Sequence, residues 1–276
     1  MNRIIVVNNK IELEVDESLD ITSFDRFELF DVKKMIVTVK KDTSLEIEYH
    51  SSSSKIDLEF VIPNNLHLEL FELRHDDSLK AQYRYVIGKN AYLKTTKFYD
   101  CKKVKEVDIV ELNGEHAMID YCLKTISTEP QKYDLIVYHN DKNTISNIVN
   151  RGVNILDGSI QLDVTGIVPN NVIGCEVDQK NQIVTFNDHK CTIAPKLLIE
   201  ENDVVANHSA LIGRFDEEEL FYLQSRGIDR NTATILMTKG FLLDGIQDDR
   251  LEKIIEKYPM FKRIVANCGC KDFNEH

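Results

Sequence analysis

Between Met35 and Phe186 the sequence is a succession of short segments in which apolar and polar residues alternate. A period of two is typical of β-strands that bury one face and expose the other. The residues between the segments are turn formers, as at Asn113-Gly114 and Asp157-Gly158, and no helical pattern intervenes. Because parallel strands in an open sheet need helical crossovers, three architectures remain: an antiparallel sandwich, a barrel, or a β-helix of stacked rungs.

The hydrophobic period changes from about two to about 3.6 after residue 213. Asp216 is a suitable helix N-cap, and Glu219 three residues later predicts a capping box. Gly227 supplies the left-handed residue that often follows a helix. Two further helices are predicted before a last helical stretch that ends near residue 266: one from Asp229 to Gly240, and one from about Asp248.

These patterns divide the chain into three parts. Residues 31–213 carry the β-pattern, and residues 214–276 form a small α-helical domain. In residues 1–30, Ile4–Val7 and Ile11–Val15 predict a hairpin around Asn8-Asn9 within an otherwise irregular segment. We therefore expect one mainly β domain with a helical appendage.

The charge of the chain restricts its partners. The 46 acidic and 34 basic residues give a formal net charge of −12, which repels phosphate backbones and anionic membranes. No apolar run approaches the roughly 20 residues of a membrane span, and no signal-peptide pattern is visible. The isolated cysteines predict reduced thiols. We therefore expect a cytoplasmic protein that binds neither nucleic acid nor membrane.

Motifs for catalysis are missing from the sequence. It contains no G-x-x-x-x-G-K-[ST], G-x-G-x-x-G, G-x-S-x-G or H-E-x-x-H segment, so we do not expect the chain itself to hydrolyse ATP. A polysaccharide-active β-helix enzyme is one alternative. Against it, the acidic residues lie mainly at outward positions of the alternating segments, and the chain has no Trp.

Two places offer candidate metal ligands. His208 follows the last predicted strand, where it is either a ligand or a histidine bonded to backbone at a turn. Cys268-Gly-Cys270 provides two thiols, which is half of a tetrahedral metal site, or else two ordinary thiols near the end of the chain.

A long stretch of the sequence resembles the SufB/SufD family of the SUF iron–sulfur cluster assembly system. The matching residues are Asp203-Val204, His208-Ser209-Ala210, Gly213, Asp216-Glu217, Leu220-Phe221-Tyr222-Leu223, Ser225-Arg226-Gly227-Ile228 and Gly240-Phe241. Shorter upstream matches are Pro195 to Ile199, Gln179-Lys180-Asn181, and His139 with Thr144, Ser146 and Arg151-Gly152. Together they extend over about residues 70 to 260.

The resemblance implies a mainly β protein, with a right-handed parallel β-helix followed by a small C-terminal α-helical domain. It also implies that the helices dock a SufC-type ABC ATPase, and that the β-helix pairs with a SufB-like scaffold or with a second copy of itself. The residues implicated in docking are Leu220, Phe221, Tyr222, Arg226, Gly227 and Phe241.

One position favours the SufD-like branch of this family. SufB-like chains carry a cysteine after the Leu-Phe-Tyr stretch, whereas this chain has Leu223. SufD-like chains place a histidine where His208 stands, as a candidate contact for iron or a cluster. Ser209 and Leu211 depart from the glycine and threonine of the family pattern.

The resulting hypothesis is a non-catalytic SufD-like subunit with no tightly bound cofactor, touched at most transiently by iron or an Fe–S cluster. The alternative is a self-sufficient scaffold that holds a nascent cluster through its own cysteines. The thiols available for that role are Cys122, Cys175, Cys191, Cys268 and Cys270.

Overall fold

The structure of the protein is a computed structural model that describes residues 3–7, 11–14, 25–30, 33–50, 53–244 and 246–258. The chain divides into two compact units, Met1–Ile212 and Gly213–His276. The first unit is built from strands and the second from helices.

From β1 to β16, described strands two apart in the sequence pair in parallel, so that the chain alternates between two sheets. Odd-numbered strands form a nine-stranded sheet that ends at β17, and even-numbered strands form an eight-stranded sheet that ends at β16. The strands are β1 (Arg3–Val7), β2 (Ile11–Glu14), β3 (Asp25–Phe30), β4 (Lys34–Thr38), β5 (Thr43–His50), β6 (Ser53–Ile62), β7 (His67–Arg74), β8 (Ser78–Ile87), β9 (Tyr92–Tyr99), β10 (Lys103–Leu112), β11 (Met118–Ser127), β12 (Pro130–His139), β13 (Ile145–Asn154), β14 (Ser159–Val168), β15 (Cys175–Thr185), β16 (Thr192–Ile199) and β17 (Val204–Gly213). The fold is a parallel β-solenoid of about 7 turns, which confirms the predicted β-helix.

The alternating pattern sets the orientation of each strand. In β8, Leu79, Ala81 and Tyr83 are buried between the sheets, whereas Lys80 and Gln82 are exposed. Each strand is therefore one wall of a closed interior, and its apolar residues stack on those of the next rung. This burial favours the fold, because each fully buried aliphatic or aromatic side chain contributes about 1.5–3 kcal/mol.

The turns that enter the odd-numbered strands share a left-handed residue. Asn65, Asn90, His116, Asn143 and Asn171 have φ between 52° and 68°. Asparagine is the residue besides glycine that adopts this conformation most readily. The residues stack from rung to rung, since the Asn90 side chain donates to Asn65 Oδ1 at 3.0 Å. A short turn of this kind replaces the helical crossover of an open parallel sheet.

The N-terminal hairpin prediction is wrong. β1 pairs in parallel with β3, and β2 pairs in parallel with β4 in the other sheet. The two segments are thus successive walls of the solenoid and not partners of each other. An Asn-Asn turn between alternating segments is compatible with both arrangements, so the local pattern could not distinguish them.

The second unit contains three helices: α1 (Glu217–Ser225), α2 (Arg230–Leu243) and α3 (Asp249–Glu256). Asp216, Asp229 and Asp248 cap their N-termini, and Asp216 accepts from the Glu218 amide in place of the predicted capping box. Helix α2 continues through Gly240, where we expected it to end, because Leu242 and Leu243 bury its last turn. The predicted stretch to residue 266 lies outside the described residues.

Candidate functional site

The C-terminal end of the solenoid is an open edge. β16 and β17 are the last strands of their sheets, and no described strand pairs with their outer sides. Apolar side chains are exposed along this last rung: Leu198 is 54% exposed, Val205 61% and Leu211 60%. An exposed edge strand that also presents apolar residues is a template for pairing with another chain. This rung, residues 192–212, is called the terminal rung below.

His208 lies within β17 and is exposed, so it belongs to the terminal rung. Among the described residues none hydrogen-bonds its imidazole, and it stands in a strand, not at a turn. The neighbouring backbone is anchored from inside, because the Asn181 side chain donates to the Ser209 carbonyl at 3.4 Å. The imidazole is therefore free to contact a partner or a ligand at the open edge.

The thiols of the solenoid do not gather into a site. Cys101 and Cys175 are buried and Cys122 and Cys191 are half-buried, all four without a disulfide. Burial raises the pKa of the Cys101 and Cys191 thiols, which favours the protonated form. In the part of the chain that the structure describes, no three His, Cys, Asp or Glu residues are grouped as metal ligands. Cys268 and Cys270 lie outside that part.

The predicted docking residues of the helical unit differ in exposure. Phe221 is 71% exposed and Tyr222 is 57% exposed, with the Arg226 guanidinium 5.3 Å from the Tyr222 ring centroid. Leu220 is buried, and Phe241 is half-buried with its ring edge-on to Phe215. Gly227 has φ 85° and follows the C-terminus of α1. Phe221 and Tyr222 are thus the exposed large hydrophobic side chains of α1.

Several upstream motif residues, among them His139, Thr144 and Ser146, are buried in the solenoid interior, whereas Pro195 to Ile199 belong to the terminal rung. His139 is fully buried, with Nδ1 2.8 Å from Thr144 Oγ1 and Nε2 2.9 Å from Ser146 Oγ. Burial lowers the pKa of His139 to about 4, so the imidazole is neutral. At Gly152 a Cβ atom would lie 2.6 Å from Ile160 Cδ1, so a larger residue would require the Ile160 side chain to shift. His139 thus links β12 to the start of β13.

The interior also contains ionisable side chains, although acidic residues were expected mainly at outward positions. Lys97 is fully buried, and its Nζ lies 2.9 Å from Glu106 Oε1 and 2.5 Å from Asp108 Oδ2. Tyr99 donates to Glu106 Oε2 at 2.7 Å, and Tyr121 donates to Asp108 Oδ2 at 2.6 Å. Glu106 and Asp108 thus face inward, contrary to the expected outward placement of acidic residues.

A second buried ion pair continues this cluster. Arg74 donates to the Tyr83 hydroxyl at 2.9 Å and lies 3.4 Å from Asp76, while Tyr83 donates to Glu72 at 3.0 Å. Two cations, Arg74 and Lys97, therefore face four buried carboxyls. Burial, followed by the charge of Asp108, raises the pKa of Glu106 to about 7. We call these residues the interior charge cluster: Glu72, Arg74, Asp76, Lys97, Glu106 and Asp108.

None of the helices that the structure describes is both long and apolar enough to span a membrane. The architecture defines the class of protein: a parallel β-solenoid with an open apolar end, followed by a separate unit of short helices. The family model described as "SUF system FeS cluster assembly, SufBD core domain" matches residues 31–241, and the chain belongs to this family. This confirms the resemblance found in the sequence.

Individual relatives agree with the family match. The chain is 28% identical over 127 residues, 46% of its length, to iron–sulfur cluster assembly protein SufD of Bacillus subtilis (strain 168). It is 37% identical over 76 residues, 27% of its length, to a SufBD family protein of Mycobacterium leprae (strain TN). A SufBD family protein of Pyrococcus horikoshii is 40% identical over 62 residues, 22% of the chain. These alignments span 29%, 19% and 14% of the relatives' own lengths.

Proposed function

We propose that the chain is a non-catalytic, SufD-like subunit of an iron–sulfur cluster assembly complex. Its terminal rung pairs with a SufB-like scaffold or with a second copy of itself, and its helical unit docks a SufC-type ABC ATPase. The observation that carries the proposal is the terminal rung, where an open strand edge and exposed apolar side chains surround His208. Family membership supplies the pathway.

His208 would give the pair an imidazole ligand for iron or a nascent cluster, which is the substrate of assembly. Imidazole is a borderline donor that suits iron. Leu223, at the place where SufB-like chains have a cysteine, has no ligand atom, which supports a partner role over a self-sufficient scaffold. The absence of a phosphate loop from the sequence supports a separate ATPase that supplies nucleotide-driven movement.

Pairing through the terminal rung predicts that Leu211→Lys prevents association. A lysine on an edge strand adds a charge that must be desolvated when another strand pairs with it. Light scattering during gel filtration should give a paired mass for the wild-type chain, alone or with its scaffold, and the 31.8 kDa of one chain for the variant. Leu156→Lys, at an exposed leucine outside this rung, is the matched control.

The same experiment separates pairing from ligation. His208→Ala should pair normally but yield less cluster when the complex is reconstituted anaerobically with iron and sulfide. His189→Ala, at an exposed loop histidine, should pair normally and yield as much cluster as wild type. An unpaired wild-type chain in every mixture would refute the pairing. A visible cluster on the isolated chain that disappears in a cysteine variant would favour the self-sufficient scaffold.

If the ATPase docks on α1, Phe221→Asp should weaken the affinity of the chain for the ATPase by at least about tenfold. Loss of a central apolar anchor typically costs an interface about 2 kcal/mol or more. Phe221 is the better test position than Phe241, because Phe241 packs on Phe215 and its loss would disturb the helical unit itself. Binding measured by calorimetry should be unchanged in Leu156→Asp. Equal affinity of Phe221→Asp and wild type would contradict the docking surface.

A further inference from the structure

The outward face of the even-numbered sheet carries four lysines in register. Lys55 lies opposite Lys80, Lys80 opposite Lys105, and Lys105 opposite Lys132, on the neighbouring strands β6, β8, β10 and β12. All four side chains are exposed. Adjacent strands are about 4.8 Å apart, so the four stems form a straight line about 14 Å long that runs along the solenoid axis. We call these residues the lysine row.

The lysine row is largely without counter-charge. Lys132 lies 3.7 Å from Asp163, but among the described residues no carboxylate lies within 4 Å of Lys55, Lys80 or Lys105. Like charges placed directly opposite on neighbouring strands are destabilising. Fold stability alone therefore does not favour the lysine row. The chain as a whole has twelve more acidic than basic residues, so the row is also a local exception in charge.

Several other outward positions of the same solenoid follow the opposite rule. Lys94 contacts Glu69 on the next strand at 2.7 Å. Arg84 contacts Glu111 at 2.9 Å, and the turn residue Lys89 contacts Glu115 at 3.1 Å. Complementary charges thus stack elsewhere along the axis. A departure from such a local rule is expected at sites that serve a function.

We propose that the lysine row is a docking surface for an acidic α-helix of a partner protein, with one carboxylate per helical turn. A helix that lies along the solenoid axis repeats every 5.4 Å, so four acidic residues extend over about 16 Å. Residues on one face of an extended strand repeat about every 6.6 Å and extend over about 20 Å. The helical spacing is closer to that of the lysines, and their flexible stems can absorb the remaining difference.

The row beside the lysines argues for a narrow partner. The outward-facing residues two positions after each lysine form this neighbouring row. In it, Asp57 lies opposite Gln82, and Asp134 lies between Val107 and Asp163. These carboxylates repel a broad polyanion such as a nucleic acid duplex or an anionic membrane, but leave room for a single helix above the lysines. Electrostatic complementarity of this kind fixes orientation and register as much as affinity.

Half-buried apolar side chains lie on the same face. Val107 is two residues from Lys105 on β10, and Ile109 lies opposite Ile136 on β12. An amphipathic helix whose acidic stripe contacts the lysines can turn an adjacent apolar stripe toward these residues. The surface therefore fits a helix with neighbouring acidic and apolar stripes.

Fluorescence anisotropy with a labelled alanine-based peptide of about 18 residues, carrying one Glu per turn, tests the proposal. We expect the wild-type chain to bind this peptide, and to bind it more weakly as salt rises from about 50 to about 300 mM. Lys105→Glu should weaken binding about tenfold. Lys190→Glu, the same charge change at an exposed loop lysine, and a peptide with Gln in place of Glu are the controls.

A stability measurement separates docking from a structural role of the lysines. Lys80→Glu places an acid between Lys55 and Lys105, so the variant should melt about 1–3 °C higher while binding the Glu peptide more weakly. No binding of the Glu peptide, or equal binding by Lys105→Glu, would overturn the proposal. Tighter binding of a labelled oligothymidine or of phosphatidylserine vesicles that Lys105→Glu abolishes would also overturn it, in favour of a polyanion.

Discussion

Lys97→Met is expected to lower the free energy of unfolding by about 3–5 kcal/mol, because it leaves two buried carboxyls without their shared cation. The Lys97 ammonium contacts both Glu106 and Asp108, and its side chain is fully buried. Methionine fills a similar volume, so the loss is one of charge and not of packing. Urea denaturation followed by far-ultraviolet circular dichroism measures the change.

Lys94→Met is the matched control, since Lys94 lies on the same strand but points outward. Its contact with Glu69 at 2.7 Å is at the surface, where such pairs contribute about 0–1 kcal/mol. Adding Glu106→Gln to Lys97→Met should recover part of the loss, because one uncompensated carboxylate is removed. Equal midpoints for the Lys94 and Lys97 variants would show that the buried cation does not stabilise the solenoid.

Glu106→Gln is expected to remove a pH dependence that the wild-type protein shows in its free energy of unfolding. Burial and the charge of Asp108 raise the pKa of Glu106 from 4.5 to about 7, so the native state binds this proton more tightly than the unfolded state. The stabilising contribution is full below pH 4.5 and is lost as pH rises through 7. Over that window the loss from this group amounts to about 3 kcal/mol.

The measurement is the difference in unfolding free energy between wild type and Glu106→Gln from pH 5 to pH 8. Relative to wild type, the variant should gain stability as pH rises, because glutamine remains neutral while Glu106 ionises. Glu111→Gln, at a surface position paired with Arg84, should show no such trend. A variant that becomes less stable relative to wild type toward pH 8 would mean that the ionised carboxylate stabilises the cluster.

Strand positions were predictable from the sequence because alternation is a local signal. In β8 the side chains from Leu79 to Tyr83 show the burial that their polarity indicates. The stacking of rungs was not predictable in the same way, because the repeat length drifts. The stacked pair Glu69 and Lys94 is 25 residues apart, whereas Thr144 and Cys175 are 31 residues apart. Without a fixed period, the β-helix had to come from the resemblance.

Neither charged feature was predicted from the sequence, and the reasons differ. Glu106 and Asp108 occupy the alternate positions of β10 that Val104 and Val110 also occupy, so strict attention to phase would have placed them inside. Their cation, Lys97, belongs to the other sheet, and only the folded chain brings it near. The lysine row depends on strand register, which no local pattern specifies. His208 was recognised from its motif, but its exposure on an edge strand required the structure.

The open terminal rung has a consequence for how the solenoid unfolds. In a linear array each inner repeat is held by two interfaces and an end repeat by one, and terminal repeats usually carry a polar outer face. β17 instead exposes Val205 and Leu211. A partner seated there would cover this face and, at a free concentration about a hundredfold above its Kd, would add about 2.7 kcal/mol to the free energy of unfolding. Fraying at this end would then depend on partner concentration and not on the chain alone.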